Sequence, residues 1–380
     1  MRTPTVNDSR FTRSLEAFRP IRALAIDDSA VMRGLLRIVL GSCAKIELVG
    51  MAQDGEEGLK AIERLNPDLV LLDIEMPGMN GLEVLAEIRA RALPIKVIIC
   101  STLTRRGASI TLEALAQGAT DYVAKPTAQH GVREGIATLS QQLLPKILAL
   151  FPARSRPALV EFQSRLSIAQ PVEPRSDVTS DAIAPSVLVI GVSTGGPAAL
   201  EKVLPALPAD FPLPVLVVQH MPRLFTKLLA ERLDGLCKLS VREAEASPQM
   251  ESGVVYLARG DWHMELTGTS EHCTLRLNQN LLEEYCRPSV DVLFRSAVSV
   301  YGSGVLAVVL TGMGSDGLDG CRAVHDAGGR ILVQDRQTSA VWGMPGAVAR
   351  AGLADRILPL EAIAGEITRL AMRHGQRQPT

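Results

Sequence analysis

From Ile21 onward, short apolar runs alternate with segments whose apolar positions recur about every 3.6 residues. "IRALAIDD" reads as a strand and "AVMRGLLRIVL" as the helix that follows it. Gly34 within that helix costs roughly 1 kcal/mol against Ala, so it is expected to mark a close packing contact. "KIELVGMAQDG" gives a second strand and turn, and "EEGLKAIERLN" a helix that stops before Pro67. "PDLVLLDIEMPGMNG" is a buried strand running into a loop, followed by the helix "LEVLAEIRAR". "IKVIICST", "SITLEALAQGA" and "DYVAKP" continue as strand, helix and strand, and 130–150 closes as a fifth helix. Such a series of β–α units predicts a doubly wound parallel sheet.

Residues 1–20 read as a polar extension. The stretch 151–185 is rich in Pro, Ser and charge and reads as a linker, with a short helix around 158–168. A second β/α series begins at Val187, with strands at 187–192, 214–219, 254–258, 305–310 and 330–334. Its helices fall near 197–206, 223–234, 289–301 and 318–327. The predicted organisation is an extension (1–20), a first domain (21–145), a linker (146–184) and a second domain (185–375). Both domains are expected to be α/β, each on a doubly wound parallel sheet.

Composition narrows the function classes. A length of 380 residues favours two domains, and 47% apolar residues supply two cores. Aromatics at 3% leave cores of Ala, Val, Leu and Ile, which suit parallel sheets covered by helices. A formal charge of −1 leaves no electrostatic footprint for nucleic acid or an anionic membrane, so neither is expected as a partner. Six cysteines (43, 100, 237, 273, 286, 321) show no CxxC or Cys/His ligand spacing. That pattern implies reduced thiols, no zinc site and a cytoplasmic location. No apolar run approaches the ~18 residues of a membrane span, and the N-terminus has no signal-peptide core, so no membrane insertion is expected.

Ligands of parallel sheets bind outside the carboxyl ends of the strands. In the first domain Asp27 and Asp28 end the first strand, Asp73 the third, Ser101 the fourth and Lys125 the fifth. Three converging carboxylates repel one another unless a cation sits between them, and oxygen ligands suit octahedral Mg²⁺. A cis bond before Pro126 would aim the Lys125 ammonium into this pocket. Single strand-end aspartates also cap helices and turns, but that reading does not account for the joint pattern. The pieces "DDSAVMR", "LVLLDIEMPGMNGLEVL", "ICST" and "DYVAKP" resemble the receiver domain of two-component response regulators over about 21–140. The resemblance implies that Asp73 is the phosphoacceptor and that Asp27 and Asp28 hold Mg²⁺ with it. It also implies that Ser101 contacts the phosphoryl group, Lys125 pairs with it, and Tyr122 is the aromatic switch.

In the second domain "VLVIGVSTGGPAAL" sets Ser193 among glycines at a strand end. It can be a phosphate-cradling loop, a nucleophile turn or plain punctuation. A dinucleotide fingerprint fails, because Ser193 stands where the middle Gly belongs and the next strand ends in Gln219 and His220. A P-loop Gly-Lys-Ser/Thr is absent. The pattern G-x-S-x-G is met by Gly191, Ser193 and Gly195, and Pro197 suits the first helical turn. A nucleophilic serine needs a base and a group that orients it. His220, in "QHMP", ends the neighbouring strand, and Asp316, in "VLTGMGSDGLDG", follows another. His220 can equally be a cap or a satisfied core histidine. Asp319 competes with Asp316 but should already lie on a helix, and His263 is a rival base beyond a loop. His272 and His325 read as surface residues. The chain order Ser, His, Asp differs from that of α/β-hydrolases.

The runs "IGVSTGGPAAL", "VVQHMP", "YLARGDWHMEL", "CRPSVDVLF", "VVLTGMGSDGLDG" and "VWGMPGAV" resemble the catalytic domain of chemotaxis protein-glutamate methylesterases. The resemblance spans about 187–348, and a receiver in front is that family's architecture. It implies a flavodoxin-like receiver followed by a Rossmann-like methylesterase domain, both on doubly wound parallel sheets. It assigns Ser193 as nucleophile, His220 as general base and acid and Asp316 as orienter. Met313, through its backbone N–H, and Thr194 then border the oxyanion and substrate. The implied reaction is hydrolysis of glutamate γ-methyl esters, with deamidation of glutamines, on methyl-accepting chemotaxis receptors. No cofactor serves that step, Mg²⁺ serves the receiver, and a chemotaxis histidine kinase is the phosphodonor. One departure stands out: Cys286-Arg287-Pro288-Ser289 occupies the place of the family's His-Arg-Pro-Ser, which leaves the groove around 280–288 open. A DNA-binding regulator fits less well, since the second half is a neutral β/α pattern and not a compact basic helical module. A catalytically silent scaffold is the other alternative.

Overall fold

Leu69–Asp73 and Val187–Val192 are buried along their whole lengths. Strands apolar on both faces pair in parallel and take helices on each side. The computed structural model describes residues 19–126, 131–155 and 184–372. The polar extension up to residue 18, the helix expected at 158–168 and most of the linker lie outside the described residues.

The first unit contains β1 (Ile21–Ile26), α1 (Ala30–Gly41), β2 (Ile46–Ala52), α2 (Gly55–Leu65) and β3 (Leu69–Asp73). In chain order there follow α3 (Gly81–Ala90), β4 (Lys96–Ser101), α4 (Arg105–Ala116), β5 (Asp121–Ala124) and α5 (Val132–Leu150). All five strands are parallel, in the order β2-β1-β3-β4-β5. The order reverses beside β1, so the carboxyl ends of β1 and β3 flank the crevice where such sheets bind ligands. Helix starts are written locally. Ser29 accepts from the Met32 N–H at α1, Asp54 from the Glu57 N–H at α2, and Asn80 with Glu83 forms a capping box at α3.

Two expectations change here. An added Cβ at Gly34 meets nothing within 4 Å, so this glycine marks no close contact. Among the described residues the cis peptide precedes Pro288, and Pro126 is not cis. Helix α5 runs through Pro145 to Leu150, in line with the helix expected over 130–150, and a one-turn helix, Pro152–Ser155, follows.

The second unit begins with β6 (Val187–Val192), α6 (Gly196–Val203), β7 (Val215–Gln219) and α7 (Arg223–Asp234). Next come β8 (Ser240–Glu243), β9 (Ser247–Gln249), β10 (Val254–Leu257), β11 (His263–Gly268), β12 (Cys273–Asn278) and α8 (Val290–Tyr301). The chain then forms β13 (Val305–Val309), α9 (Leu318–Asp326), β14 (Arg330–Gln334), α10 (Met344–Arg350), β15 (Arg356–Leu358) and α11 (Leu360–Ala371). Seven strands make one parallel sheet, β15-β14-β13-β6-β7-β10-β8, with β6 in the middle. Two of them, β8 and β15, extend the five strands that the sequence pattern suggests. A three-stranded antiparallel sheet, β11-β12-β9, is a further addition, and Leu266 N–H on β11 donates to Ser296 Oγ on α8 at 3.0 Å.

One face of the large sheet offers Val187, Val189, Val305, Ala307 and Val309 to Val290, Leu293, Phe294 and Ala297 of α8. Phe294 is fully buried, and its truncation to Ala would cost about 3–5 kcal/mol. This packing fixes the N-terminus of α8 beside the ends of β6 and β13. Gly191 permits it, since a Cβ there would collide with Val290.

Candidate active site

In the first unit the carboxyl ends of β1 and β3 bring Asp27, Asp28 and Asp73 together, with ligand oxygens within 4.8 Å of one another. Asp27 and Asp73 are buried and Asp28 is exposed. Lys125 Nζ lies 2.9 Å from Asp27 Oδ2 and 2.8 Å from Asp73 Oδ2. Burial pushes the Asp73 carboxyl up to about 6 against the pull of Lys125. Burial also draws the Lys125 ammonium down, but its bonds to Asp73 and Asp27 outweigh it and hold it above its ordinary value. Two of the three carboxylates thus share one ammonium, and among the described residues buried Asp27 Oδ2 has no hydrogen-bond partner beyond that ion pair. Such a donor set fits a hard divalent cation with oxygen ligands, the acidic cluster typical of Mg²⁺. Ser101 is buried at the end of β4 and donates from Oγ to Thr102 O at 3.2 Å. Tyr122 is buried on β5, with Lys146 Nζ 5.0 Å from its ring centroid.

In the second unit the neighbouring ends of β13, β6 and β7 carry the candidate triad. The register pairs Val192 with Gln219, so Ser193 and His220 are the next residues on adjacent strands. His220 N–H donates to Val192 O at 3.3 Å. The turn at Ser193 is held on three sides: its N–H donates to Thr311 O at 3.0 Å, and its carbonyl accepts from Gly196 N–H at 2.7 Å and Gln219 Nε2 at 3.1 Å. Gly195 takes φ +77, a left-handed conformation that L side chains seldom adopt.

Asp316 follows β13 and is 3% exposed. Its Oδ2 accepts from His220 Nε2 at 2.7 Å and from Val290 N–H at 2.8 Å. Its Oδ1 accepts from Ser289 Oγ at 2.9 Å and Asp291 N–H at 3.0 Å. Four donors, two of them N–H groups at the start of α8, therefore hold one carboxylate. Burial disfavours its charge, yet the bonds from His220 and the α8 amides outweigh burial and keep the acid below its usual 3.8. The neighbouring Asp291, also buried, is pushed up to about 7 by burial, with Asp316 adding to the effect. Burial alone would lower the His220 pKa, but the bond to Asp316 and the contact with Cys286 raise it above 6.5. An ionised Asp316 fixes the proton on Nε2 and leaves Nδ1 as the basic nitrogen.

Nδ1 faces Cys286 Sγ at 3.7 Å. No hydrogen bond joins Ser193 Oγ to His220 among the described residues. In unliganded sites such bonds are commonly open and tighten with substrate. Met313 N–H donates to no acceptor among the described residues, and its loop adjoins Ser193: a Cβ on Gly312 would lie 2.9 Å from Ser193 Cβ. Thr194 is buried, and its carbonyl accepts from Thr311 Oγ1 at 2.9 Å.

The rivals sit elsewhere. Asp319 lies on α9 and pairs with Arg322 at 3.3 Å. His263 is 1% exposed, with Nε2 on Leu281 O at 3.0 Å. His272 lies in the turn between β11 and β12, and His325 on α9 meets Asp326 at 3.2 Å. Sequence reasoning missed Gln219 and Ser289 as supports of the site. The signal for Ser289 was present, since Ser before "VDVLF" is a helix N-cap pattern.

Known proteins resemble both halves of the chain. Residues 188–367 match the CheB methylesterase family, and residues 23–137 match the response regulator receiver domain. A protein-glutamate methylesterase/protein-glutamine glutaminase of Nocardioides sp. is 46% identical over 355 residues, covering 93% of this chain and 96% of that protein. One of the same name from Trichodesmium erythraeum is 42% identical, covering 92% and 98%. The crystal structure of the Thermotoga maritima CheB methylesterase catalytic domain is 41% identical, with TM-score 0.48, covering 50% of this chain and all of that one. A response-regulator receiver followed by a hydrolase domain is thus the class of protein. The chain belongs to the family of CheB protein-glutamate methylesterases/protein-glutamine glutaminases.

Proposed function

We propose that this chain is a phosphorylation-regulated hydrolase acting on methyl-accepting chemotaxis receptors, with Ser193, His220 and Asp316 as its triad. It cleaves glutamate γ-methyl esters and deamidates glutamines. The observation that carries this reading is the Asp316–His220 bond of 2.7 Å, set beside the Ser193 turn on adjacent strand ends. Ser193 Oγ attacks the ester carbonyl while His220 Nδ1 takes its proton. The Met313 N–H, with Thr194 alongside, faces the oxyanion as charge develops there. His220 returns the proton to the leaving methoxide, releasing methanol and leaving an acyl-enzyme. Water, deprotonated by His220, then frees the glutamate. An amide follows the same path and releases ammonia.

In the receiver, Asp73 accepts a phosphoryl group from a chemotaxis histidine kinase. Asp27, Asp28 and Asp73 would hold Mg²⁺, which supplies charge neutralisation for the phosphoryl oxygens when bound. Lys125 pairs with the same oxygens, Ser101 donates to them, and Tyr122 is the side chain that responds. Among the described residues no helix is long and apolar enough to cross a membrane. The test is methanol release from methylated receptor membranes, with and without acetyl phosphate. Wild type should be stimulated, Asp73→Asn should not respond, and Ser193→Ala should be inactive with its fold intact. Methanol release by a well-folded Ser193→Ala would sink the assignment.

A further inference from the structure

Cys286 stands against the proposed base. Its Sγ is 3.7 Å from His220 Nδ1, the ring nitrogen that must receive the Ser193 proton, while Nε2 is bound to Asp316 at 2.7 Å. His220, Cys286 and Asp316 form one cluster within 4.8 Å, but the Asp316 oxygens already accept from Ser289, Val290, Asp291 and His220. That leaves Nδ1 and Sγ as the available pair, too few donors for a zinc site. The same pair suits proton exchange. An S–H donates to Nδ1, and an imidazole that takes the proton leaves a thiolate, the form that attacks disulfides. Asp316 stabilises the resulting imidazolium from the other side of the ring.

Access to the sulfur is built into the loop. Cys286 closes a tight turn in which its N–H donates to Glu283 O at 2.7 Å and Glu283 N–H returns to Cys286 O at 3.3 Å. Glu284 and Tyr285 at the tip take φ of 48 and 62, and Tyr285 is 96% exposed. Cys286 is part-exposed, whereas Cys100, Cys273 and Cys321 are buried. Cys43 and Cys237 are also part-exposed, and burial pushes the Cys237 thiol up to about 11. Among the described residues, Cys286 is the cysteine bonded to an imidazole.

We propose that Cys286 is a thiol switch on the base: exchange with a small disulfide makes a mixed disulfide there and silences hydrolysis until a thiol removes it. This rests on the esterase reading, since it needs His220 to serve Ser193. In the step, Cys286 Sγ attacks one sulfur of the disulfide, a new Sγ–S bond forms, and the old S–S bond breaks. The other half leaves as a thiolate and is protonated; Cys286 is oxidised and the leaving half reduced. The added group then occupies the space at Nδ1 where the Ser193 proton has to arrive.

The test treats the full chain with oxidised glutathione and follows methanol release together with peptide mass mapping. Adduct at Cys286 should track a loss on the order of 10²-fold, the contribution of a general base, and dithiothreitol should restore the rate. Cys286→Ala, whatever its own rate, should be indifferent to the disulfide. His220→Ala should slow adduct formation at Cys286, a readout that does not depend on hydrolysis. Modified Cys286 with full activity, equal inhibition of Cys286→Ala, or adduct at Cys43 as fast as at Cys286 each overturns the proposal. If untreated protein releases no methanol, the esterase reading fails by itself. In that event a His220-dependent adduct rate still supports the thiol–imidazole pair, and a rate unchanged in His220→Ala overturns it.

Discussion

His220 Nε2–H donates to Asp316 Oδ2 at 2.7 Å, and the same oxygen accepts the Val290 N–H at 2.8 Å. The acid is thus anchored to the start of α8 before it orients the ring, so ring and helix form one rigid unit. Asp316→Asn would turn an amide donor toward Nε2 or break the bonds to Ser289 and Asp291. The first result releases the tautomer that leaves Nδ1 basic, and the second loosens the group that orients the ring. The expected outcome is a fall in kcat of about 10³–10⁴ with little change in KM. Steady-state methanol release checks it, and a loss below tenfold would contradict the role.

The pH dependence follows from the same bond. Asp316 and Cys286 together outweigh burial and hold the His220 pKa above 6.5, and the base works only when neutral. The rate should therefore keep rising with pH beyond neutrality, where an ordinary histidine has reached its plateau. Cys286→Ala removes one raising partner and should move the rise toward lower pH. The stability sign is the reverse: a raised histidine contributes most below 6.5 and loses that contribution as pH rises through the folded value. A kcat/KM profile of both proteins, with melting curves alongside, checks each half.

Asp291 supplies a second titration. Its carboxyl is pushed up from 3.8 to about 7, chiefly by burial and further by Asp316, while Oδ1 accepts the Gly320 N–H at 2.6 Å. Asn at this position keeps an acceptor and removes the charge. Asp291→Asn should have no advantage below pH 3.8, gain one as pH rises, and hold it above about 7. The plateau is expected at no more than about 4 kcal/mol. Urea unfolding at acid and alkaline pH reads it directly.

Much of this was legible in the sequence because parallel strands are continuous apolar runs whose ends carry the chemistry. Asp27, Asp73, Ser193 and His220 all stand at such ends. The β11–β12 hairpin was legible but unread: Met264, Leu266, Cys273 and Leu275 are buried and alternate with Glu265, Thr267, Thr274 and Arg276. That is period two beside a strongly helical neighbour. The four-donor cradle of Asp316 was not legible, because it depends on how α8 packs against β6 and β13. The contact between Cys286 and His220 joins residues 66 positions apart, and no local pattern announces it.

Gly34 separates propensity from packing. The sequence suggests a contact that only glycine permits, whereas the space beyond its Cα is open to 4 Å. Gly34→Ala should then stabilise the receiver by up to about 1 kcal/mol, through helix propensity and a less flexible unfolded chain. A melting temperature unchanged or lowered would show that the helix needs this glycine for another reason.

Gly312 is the opposite case. A Cβ there would overlap Met344 Sδ and lie 2.9 Å from Ser193 Cβ. Met344 is flexible, but Ser193 is not, since Thr311, Gly196 and Gln219 all hold its backbone. Gly312→Ala must therefore shift the nucleophile or the Thr311–Gly314 loop that carries the Met313 N–H. Overpacking should cost about 1–3 kcal/mol of stability. A displacement near 1 Å should lower kcat about 10²-fold, because attack geometry tolerates little error. Labelling of Ser193 by a fluorophosphonate should slow in parallel, while oxidised glutathione still reaches Cys286, which lies on a different loop. Labelling at the wild-type rate would place the strain on Met344 and remove Gly312 from the reasons Ser193 is reactive.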